Sequence, residues 1–498
     1  MEKRLKVIGS FFLICALVLV AAQARICFFK GDEYSRSVAS QRTQSLEVKS
    51  YRGKFYDRNM IPLVEYSTGS FYIDEDGTLT KERGVKLPDM TVRYGKDRTA
   101  SHLIGYVNSD GEGVSGLEKV FDSVITAKEA LKINVIKSAD GKVLHKMGMS
   151  ASDKPHTADS IKLTLDSHIQ RICEQALRDG SVTGAAVVLD VRSFDVLAMA
   201  SMPDYDQSKV ADYVEEEGSE LVNRCLSQYN AGSIFKIITL SAALENNKLR
   251  YNYFCDGALE TPGHVFGCHK YDGHGFLAPQ DAFAASCNCA FYIMGADMGS
   301  ETILDTARQF GLGTELVNLE GIEEMSGNIP LKNIYGYLES VNYAIGQGEI
   351  LLTPLQAANM ACIAANNGIR GTINIADAVC SDEGVIKQNL RQSGETRAIS
   401  YSTALYLQDS MRKAVTEGTG ASLADSPARI AGKTGTAETG WYENGQNLVH
   451  GWFCGYFPYD NPKYAMAVLV ENGGSGALSA APIFKNIAEE IIKIYPMG

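Results

Sequence analysis

The chain is 498 residues long and carries a formal net charge of −12 at pH 7, with 45% hydrophobic and 21% charged residues. These values are ordinary for a globular protein of several domains. The acidic balance argues against a nucleic-acid partner, which would require a basic surface. Eleven cysteines in a chain of this length do not indicate a disulfide-stapled scaffold.

The chain begins with a candidate membrane segment. Residues 7–22 are uncharged and mostly apolar, and they follow the basic residues Lys3, Arg4 and Lys6. Basic residues before an apolar segment predict a cytoplasmic N-terminus, with the rest of the chain outside. The segment is slightly short of the roughly 20 residues that span a bilayer, and residues 22–24 resemble a signal-peptide cleavage site. An anchor and a cleaved signal peptide both agree with these features.

Two regions follow this segment. Residues 25–155 contain short alternating stretches separated by Gly, Asp and Asn, which predicts mixed α/β structure with short strands. Residues 156–498 begin with an amphipathic helix that Asp166 caps and Gly180 ends. A hairpin of buried strands, several helices, three further strands and a final helix follow. Strands at both ends of residues 156–498, with helices between them, predict one antiparallel sheet packed on helices. The predicted fold class is therefore α/β, more specifically α+β.

A serine and a lysine stand three residues apart in the apolar, helix-like stretch YNAGSIFKIITLSAALEN. This spacing on a helix brings the Lys236 amine beside the Ser233 oxygen. A hydroxyl becomes a good nucleophile when a base takes its proton, and burial lowers the pKa of a lysine toward the value of about 7–8 that such a base needs. The pattern alone is weak, because Ser410 and Lys413 repeat it where an exposed serine and a solvated lysine would suffice.

A second motif lies near the C-terminus, in the stretch AGKTGTAETG. It places Lys433, Thr434, Gly435 and Thr436 on a predicted strand. These residues offer a fixed cation, hydroxyls that can hold a carboxylate, and a glycine that lets a substrate backbone approach closely. An edge strand protected by a lysine would have the same pattern.

A Ser-x-Asn motif occurs three times, at residues 286–288, 326–328 and 340–342. The first copy, with Ser286 and Asn288, has apolar residues around it that would bury a polar pair, and buried polar groups require partners. The second copy lies in a loop-like stretch, and the third immediately precedes a Gly-Gln-Gly. We therefore expect Ser286 and Asn288 to belong to the site.

Ser-x-x-Lys, Ser-x-Asn and Lys-Thr-Gly in this order form the motif set of penicillin-binding proteins and serine β-lactamases. The chain resembles a class B penicillin-binding protein, a peptidoglycan D,D-transpeptidase of the division or elongation type, over nearly its whole length. RGKFYDRN and GVSGLEKVFD resemble motifs of the family's N-terminal pedestal, and LTLDSHIQ, VLAMASMPDYD, GHGFLAPQDAFAASCN, IGQGEILLTPLQ and AGKTGTAE follow the family order. The resemblance implies a cytoplasmic tip and uncleaved transmembrane anchor in residues 1–24, a pedestal in 25–155, and a β-lactamase-like transpeptidase domain with an antiparallel sheet in 156–498.

The resemblance also implies a mechanism. Ser233 would attack the carbonyl between two D-alanines of a stem peptide and form an acyl-enzyme, with Lys236 as the base. Ser286 and Asn288 would relay the proton to the leaving amine and hold the substrate amide. An amine of a neighbouring stem peptide would then take the acyl group, and β-lactams would acylate the same serine.

The strand motif would bind the other end of the substrate. Lys433 would complete the electrostatics, while Thr434 and Thr436 would bind the terminal carboxylate beside Gly435. Backbone N–H groups of Ser233 and Thr436 would form an oxyanion hole, in which one donor is typically worth about 2.7–4 kcal/mol.

The resemblance implies no cofactor. It implies glycan strands derived from lipid II as substrates, a membrane glycosyltransferase partner, and a single-pass location in the cell membrane with the catalytic domain outside. Two positions depart from the family: Ala231 replaces the usual proline before Gly232, and Cys289 follows Asn288 where a small hydroxyl or proline is usual. The first loosens the turn but touches no catalytic atom, and neither departure argues against the activity. The alternatives are a β-lactam sensor or inactive scaffold, and a D,D-carboxypeptidase or β-lactamase hydrolase of the same fold.

One further cluster concerns metal binding. Cys255, Cys268, His274 and Cys287 have the residue types of a three-cysteine, one-histidine zinc site, and some elongation-type relatives carry a metal near this place. Their spacings lack the tight pairs of common zinc motifs. A disulfide between Cys255 and Cys268, or plain thiols, would also be compatible with a location outside the cell.

Overall fold

The computed structural model divides into two compact units, formed by residues 1–51, 66–93 and 127–157 and by residues 52–65, 94–126 and 158–498. The structure describes residues 1–48, 52–64, 98–127, 158–214, 219–261, 263–317, 319–330, 336–381, 383–443 and 445–496, with short segments between 67 and 95 and between 131 and 151. Part of the predicted pedestal, including residues 74–78, 81–84, 87–90 and 143–148, lies outside the described residues. Its boundaries at 25 and 155 stay a prediction.

The first unit opens with helix α1 (Glu2–Phe29), which has a mean hydropathy of 2.5 over its most apolar 18 residues. At about 1.5 Å per residue, such a helix exceeds the roughly 30 Å of a bilayer core. Within the described part of the chain, α1 is the one helix long and apolar enough to cross a membrane. The helix Gly31–Arg42 follows, and the strands of this unit are Thr43–Val48, Leu131–Ile136 and Met149–Ala151 in one sheet, with the short strands Ser67–Thr68, Tyr72–Ile73, Leu79–Thr80, Val85–Lys86 and Thr91–Val92.

The second unit is built on a five-stranded antiparallel sheet. Its strands are β1 (Gly184–Asp190), β2 (Val196–Met202), β3 (Ala431–Glu443), β4 (Gln446–Phe457) and β5 (Tyr464–Val470). Their spatial order is β2-β1-β5-β4-β3, so that β3 lies at one edge. The predicted antiparallel sheet assembled from distant segments is therefore confirmed, as is the α+β fold class.

Helices cover both faces of this sheet. The longer ones are α2 (Ser167–Asp179), α3 (Lys236–Glu245), α4 (Asn288–Met298), α5 (Pro354–Ala365), α6 (Tyr401–Thr416) and α7 (Ala480–Ile494). The carboxylate of Asp166 accepts hydrogen bonds from two backbone N–H groups of the first turn of α2, and Gly180 follows its last turn, as the sequence predicts. Every residue of α5 is buried, so this helix forms the centre of the core.

Alternate residues of the central strands belong to two separate hydrophobic cores. On β1, Ala186 and Val188 pack in the core with α2 and α7, while Ala185 and Val187 pack in the core with α5. Because both faces are covered, the strands are nearly continuous apolar runs rather than alternating ones. A sheet held on both faces is a rigid support for the edge strand β3.

Shorter elements complete this unit. Its other helical segments are Ser101–Ile104, Gly116–Val120, Asp122–Ile125, Val210–Val214, Gly232–Phe235, Pro279–Ala284, Ser300–Gln309, Tyr337–Tyr343 and Ala421–Leu423. Its other strands are Phe55–Tyr56, Ser160–Leu163, Ala376–Cys380 and Ile386–Asn389 in one sheet, and the pairs Tyr229–Asn230 with Leu351–Leu352, Tyr253–Cys255 with Gly275–Leu277, Ala258–Thr261 with His264–Gly267, and Ile369–Gly371 with Glu395–Arg397.

Candidate active site

Ser233 lies in a short 3₁₀ turn, Gly232–Phe235, that leads directly into α3. In a 3₁₀ turn the side chains at positions i and i+3 eclipse each other, so Lys236 lies on the same side as Ser233. Gly232 has a φ of +54°, and a Cβ there would lie 2.6 Å from the Thr436 carbonyl oxygen. Glycine thus allows both the turn and its close approach to β3.

The Lys236 amine is held by the Ser-x-Asn motif. Its Nζ lies 2.9 Å from the Ser286 carbonyl oxygen, 3.2 Å from Ser286 Oγ and 2.7 Å from Asn288 Oδ1. The side chain is fully buried, and this burial lowers its pKa to about 7, although the neighbouring Cys287 opposes the shift. A large fraction of the amine is therefore neutral at pH 7, as a general base requires.

Ser286 occupies a strained backbone position between the helix Pro279–Ala284 and α4. Its φ is +53°, which is uncommon for a residue with a side chain. This conformation turns both the carbonyl oxygen and the hydroxyl of Ser286 toward Lys236 Nζ. Asn288 begins α4, so a helix start positions its side-chain amide.

On β3, Lys433 is buried completely and lies with its Nζ 5.7 Å from the ring centroid of Phe283. It donates a hydrogen bond of 3.1 Å to the Thr434 carbonyl oxygen. Burial, with a further contribution from Lys236, holds the pKa of Lys433 well below its usual value. The site thus disfavours the charged form of Lys433, which the sequence analysis expects to be a fixed cation. A substrate carboxylate bound nearby would favour the charged form.

The threonines of β3 present hydroxyls on one face of the strand. Thr434 shares a hydrogen bond of 2.6 Å with Thr419, and Thr436 accepts one of 3.4 Å from the Gly476 N–H. A Cβ at Gly435 would lie 2.9 Å from Ile234 Cγ2. Glycine between the threonines therefore lets β3 lie directly against the turn that carries the serine.

Residues of all three motifs line one cleft of about 550 Å³. Ser233, Ser286, Asn288, Thr434 and Thr436 all line it, while Lys236 and Lys433 are buried and do not line it. The structure therefore brings together every residue that the sequence analysis selected for catalysis and substrate binding. A larger groove of about 970 Å³ elsewhere in this unit contains none of them.

Several lining residues are absent from the sequence-based set, namely Gly267, His269, Tyr292, Asn342, Ile345, Gln347, Thr419, Glu438, Val449, Ser475 and Ala477. Asn342 belongs to the third Ser-x-Asn motif, which the sequence analysis set aside. The sequence could have indicated Asn342, because it lies just before IGQGEILLTPLQ, which is one of the family motifs quoted above. Glu438 directly follows Lys-Thr-Gly-Thr-Ala on β3, and its period-two spacing from Thr436 was a second available signal.

The second Ser-x-x-Lys and the second Ser-x-Asn have structural roles. Ser410 Oγ donates a hydrogen bond of 2.7 Å to the Tyr406 carbonyl oxygen within α6, and Lys413 pairs with Asp281. The expectation of an exposed Ser410 was wrong, because the helix packs this side chain into the protein interior. Asn328 is exposed and donates to the Glu349 carbonyl oxygen.

The cluster of possible metal ligands also forms beside the site. The ligand atoms of Cys255, Cys268, His274 and Cys287 all lie within 4.8 Å of one another. His274 Nδ1 lies 3.5 Å from Cys255 Sγ and 3.6 Å from Cys268 Sγ. Zn–S and Zn–N bonds of about 2.3 and 2.0–2.1 Å in a tetrahedron require N–S separations of roughly 3.5–3.6 Å, so the set fits zinc.

The chemistry of the thiols agrees with this geometry. The three cysteines of the cluster are free rather than paired in disulfides. Hydrogen bonds from the thiols of Cys287 and Cys289 hold the pKa of Cys268 well below its usual value. The hydrogen bond with Cys268 in turn raises the pKa of Cys287. The cluster therefore stabilises one thiolate, at Cys268, and the thiolate is the form that binds a metal.

Comparison with known proteins agrees with this site. Residues 184–489 match the family model described as the penicillin binding protein transpeptidase domain. Stage V sporulation protein D of Bacillus subtilis is 31% identical over 82% of this chain, and the match spans 65% of that relative's length. Peptidoglycan D,D-transpeptidase PbpA of Mycolicibacterium smegmatis is 32% identical over 65% of this chain and 70% of its own length.

A solved structure has the same fold. Penicillin-binding protein 3 from Mycobacterium tuberculosis, complexed with ampicillin, superposes with a TM-score of 0.71 at 25% identity, covering 91% of this chain and 96% of that one. The domain match extends from β1 into α7 and thus includes the serine turn, α4 and β3. The chain therefore belongs to the penicillin-binding protein transpeptidase family, and the resemblance to its class B members is confirmed.

Proposed function

We propose that this protein is a serine D,D-transpeptidase that cross-links peptidoglycan stem peptides ending in D-Ala-D-Ala and that β-lactams inhibit it. One observation carries the proposal: a buried lysine with a pKa of about 7 lies one 3₁₀ turn from a cleft-lining serine and is held by the Ser-x-Asn motif. The family membership and the name of the Mycolicibacterium relative support the same reaction.

In the acylation step, Ser233 Oγ gives its proton to neutral Lys236 Nζ and bonds to the carbonyl carbon between the two D-alanines. The N–H groups of Ser233 and Thr436 hold the oxyanion. When the intermediate collapses, the C–N bond breaks and the proton passes through Ser286 to the leaving D-alanine amine. The Ser286 hydroxyl lies 3.2 Å from Lys236 Nζ, which is within reach for this transfer. Attack by a second amine then releases Ser233.

The substrate would add to the exposed edge of β3. An extended peptide pairs with such an edge through main-chain hydrogen bonds. Its terminal carboxylate would meet the hydroxyls of Thr434 and Thr436, and its negative charge would favour protonation of the buried Lys433. Asn288 would hold the amide on the acyl side. Glycine at position 435 lets β3 lie close to the turn that carries Ser233, so that one peptide can contact the threonines of β3 and Asn288 together.

We also propose where the enzyme works. Helix α1 would anchor the chain in the cell membrane as a single span, and the basic residues at its N-terminus favour the topology that leaves the second unit outside. The glycan strands derived from lipid II are made at this membrane surface, so a membrane glycosyltransferase is the partner that the reaction requires. The separation of residues 25–155 as a pedestal belongs to the same proposal.

Cys255, Cys268, His274 and Cys287 would hold a zinc ion with a structural role, since four protein ligands leave no open position for a substrate. Cys287 lies between Ser286 and Asn288 in the sequence. Fixing this cysteine would keep its two neighbours in place against Lys236.

Labelling with a fluorescent penicillin tests the function. We expect wild type and Ser410→Ala to form a stable covalent adduct and Ser233→Ala to form none. Label on Ser233→Ala, or its loss in Ser410→Ala alone, would overturn the assignment. The lifetime of the adduct separates a β-lactamase, which would release the penicilloyl group rapidly to water. The product formed from a D-Ala-D-Ala peptide separates a carboxypeptidase, which would transfer the acyl group to water rather than to an amine.

A further inference from the structure

The cleft contains one negative charge that the proposed reaction does not use. Among the described residues that line it, Glu438 is the only carboxylate. No ion-pair partner of Glu438 lies within 4 Å in the described part of the chain, and its side chain is exposed. An unpaired carboxylate at the wall of a substrate cleft attracts a cationic group on the ligand.

The position of Glu438 follows from the register of β3. Side chains two residues apart on a strand point to the same face, and Thr434, Thr436 and Glu438 all line the cleft. Thr436 pairs with Gly451 of β4 and Glu438 with Val449, so the regular pairing continues to this residue. Glu438 is therefore about 6.6 Å further along the strand than Thr436.

The direction of the substrate decides which part of it meets Glu438. The terminal carboxylate is assigned to Thr434 and Thr436, and the scissile carbonyl to the Thr436 N–H. The carboxylate end therefore lies toward the start of β3, and the peptide runs antiparallel to the strand. The acyl side of the scissile bond then extends past Thr436 toward Glu438.

We propose that Glu438 is a specificity-determining residue that binds an ammonium group on the acyl side of the donor stem peptide. This inference rests on the proposed function and specifies its substrate as a stem peptide with a free amine. Tyr292 also lines the cleft and donates its phenol proton to the Gly267 carbonyl oxygen, so it offers an ammonium group only a neutral oxygen. The ammonium group would therefore have Glu438 as its charged partner.

Three penicillins that differ at one carbon of the acyl side chain test this proposal. Benzylpenicillin carries a hydrogen there, ampicillin an ammonium group and carbenicillin a carboxylate. The second-order rate constants of acylation are measured for wild type and Glu438→Gln, and each is divided by that protein's own benzylpenicillin value. Glu395→Gln is the matched control, because Glu395 is exposed and lies on the strand Glu395–Arg397, outside the cleft.

We expect Glu438→Gln to lower the relative rate for ampicillin and to raise it for carbenicillin, each by about twofold to fivefold, as for an exposed ion pair. Both effects should shrink at high salt, and Glu395→Gln should show neither. Unchanged ratios, or equal shifts in both variants, would overturn the proposal while leaving the transpeptidase assignment intact. Failure of all three penicillins to acylate wild type would instead refute the proposed function.

Discussion

Replacing Lys236 with methionine measures how much burial of the Lys236 amine lowers the free energy of unfolding, separately from the role of the amine in the reaction. The substitution keeps an unbranched chain in the buried position and removes the amine. In the folded protein burial lowers the pKa of Lys236 from 10.5 to about 7. At 1.36 kcal/mol per pKa unit, the difference corresponds to about 5 kcal/mol against the charged form. The wild-type protein therefore carries a pH-dependent penalty that the variant lacks.

The sign follows from proton binding. Between pH 7 and 10.5 the unfolded chain binds a proton at Lys236 that the folded protein does not hold, so wild-type stability rises with pH over this range. The penalty is about 4 kcal/mol at pH 7 and about 1.4 kcal/mol at pH 9.5. The variant also leaves the Ser286 and Asn288 acceptors without this donor, at about 1–3 kcal/mol each. That cost does not vary with pH.

Guanidinium unfolding of both proteins at pH 7 and pH 9.5 measures the effect. We expect the stability of Lys236→Met relative to wild type to fall by about 3 kcal/mol between these two values. Lys413→Met is the control, because pairing with Asp281 raises the pKa of Lys413 and keeps it protonated in both states over this range. Parallel pH dependence in wild type and Lys236→Met would refute the reasoning. Penicillin acylation of Lys236→Met should fall at least a hundredfold.

Two further predictions concern the same neighbourhood. Asn288→Asp places a carboxylate where the amide oxygen lies 2.7 Å from Lys236 Nζ, so the acid limb of the pH–acylation profile should move up by about 1–2 units. The same change at the exposed Asn328 should leave the profile in place, and an unmoved limb in Asn288→Asp would contradict the role of Lys236 as base. Metal analysis of purified protein should find one zinc ion per chain, lost in Cys255→Ser with a lower melting temperature. A wild-type protein without zinc, in which Cys255 and Cys268 are oxidised together, would exclude the metal site.

The spacing of apolar residues along the chain predicts the helices and strands, because each element buries the face on which those residues recur. The Asp166 cap, the apolar runs of β1 and β2, and the final helix are each visible in a window of about 15 residues. The antiparallel sheet follows, because strands at both ends of a helical region must bury their apolar faces together. The order of the three motifs likewise predicts which serine, lysine and threonine residues form the candidate site before any distance is known.

Only the tertiary structure decides how those residues behave. The sequence shows Lys236 and Lys433 on different elements, and the packing of Phe283 and Phe291 around their amines removes the water that would keep both charged. Tertiary packing also buries Ser410 and leaves Glu438 exposed in the cleft, which the local sequence around neither residue reveals. Composition and periodicity determine which elements form. Burial and charge at the site depend on segments 50 or more residues apart, as between Lys236 and Ser286, and no local pattern contains that information.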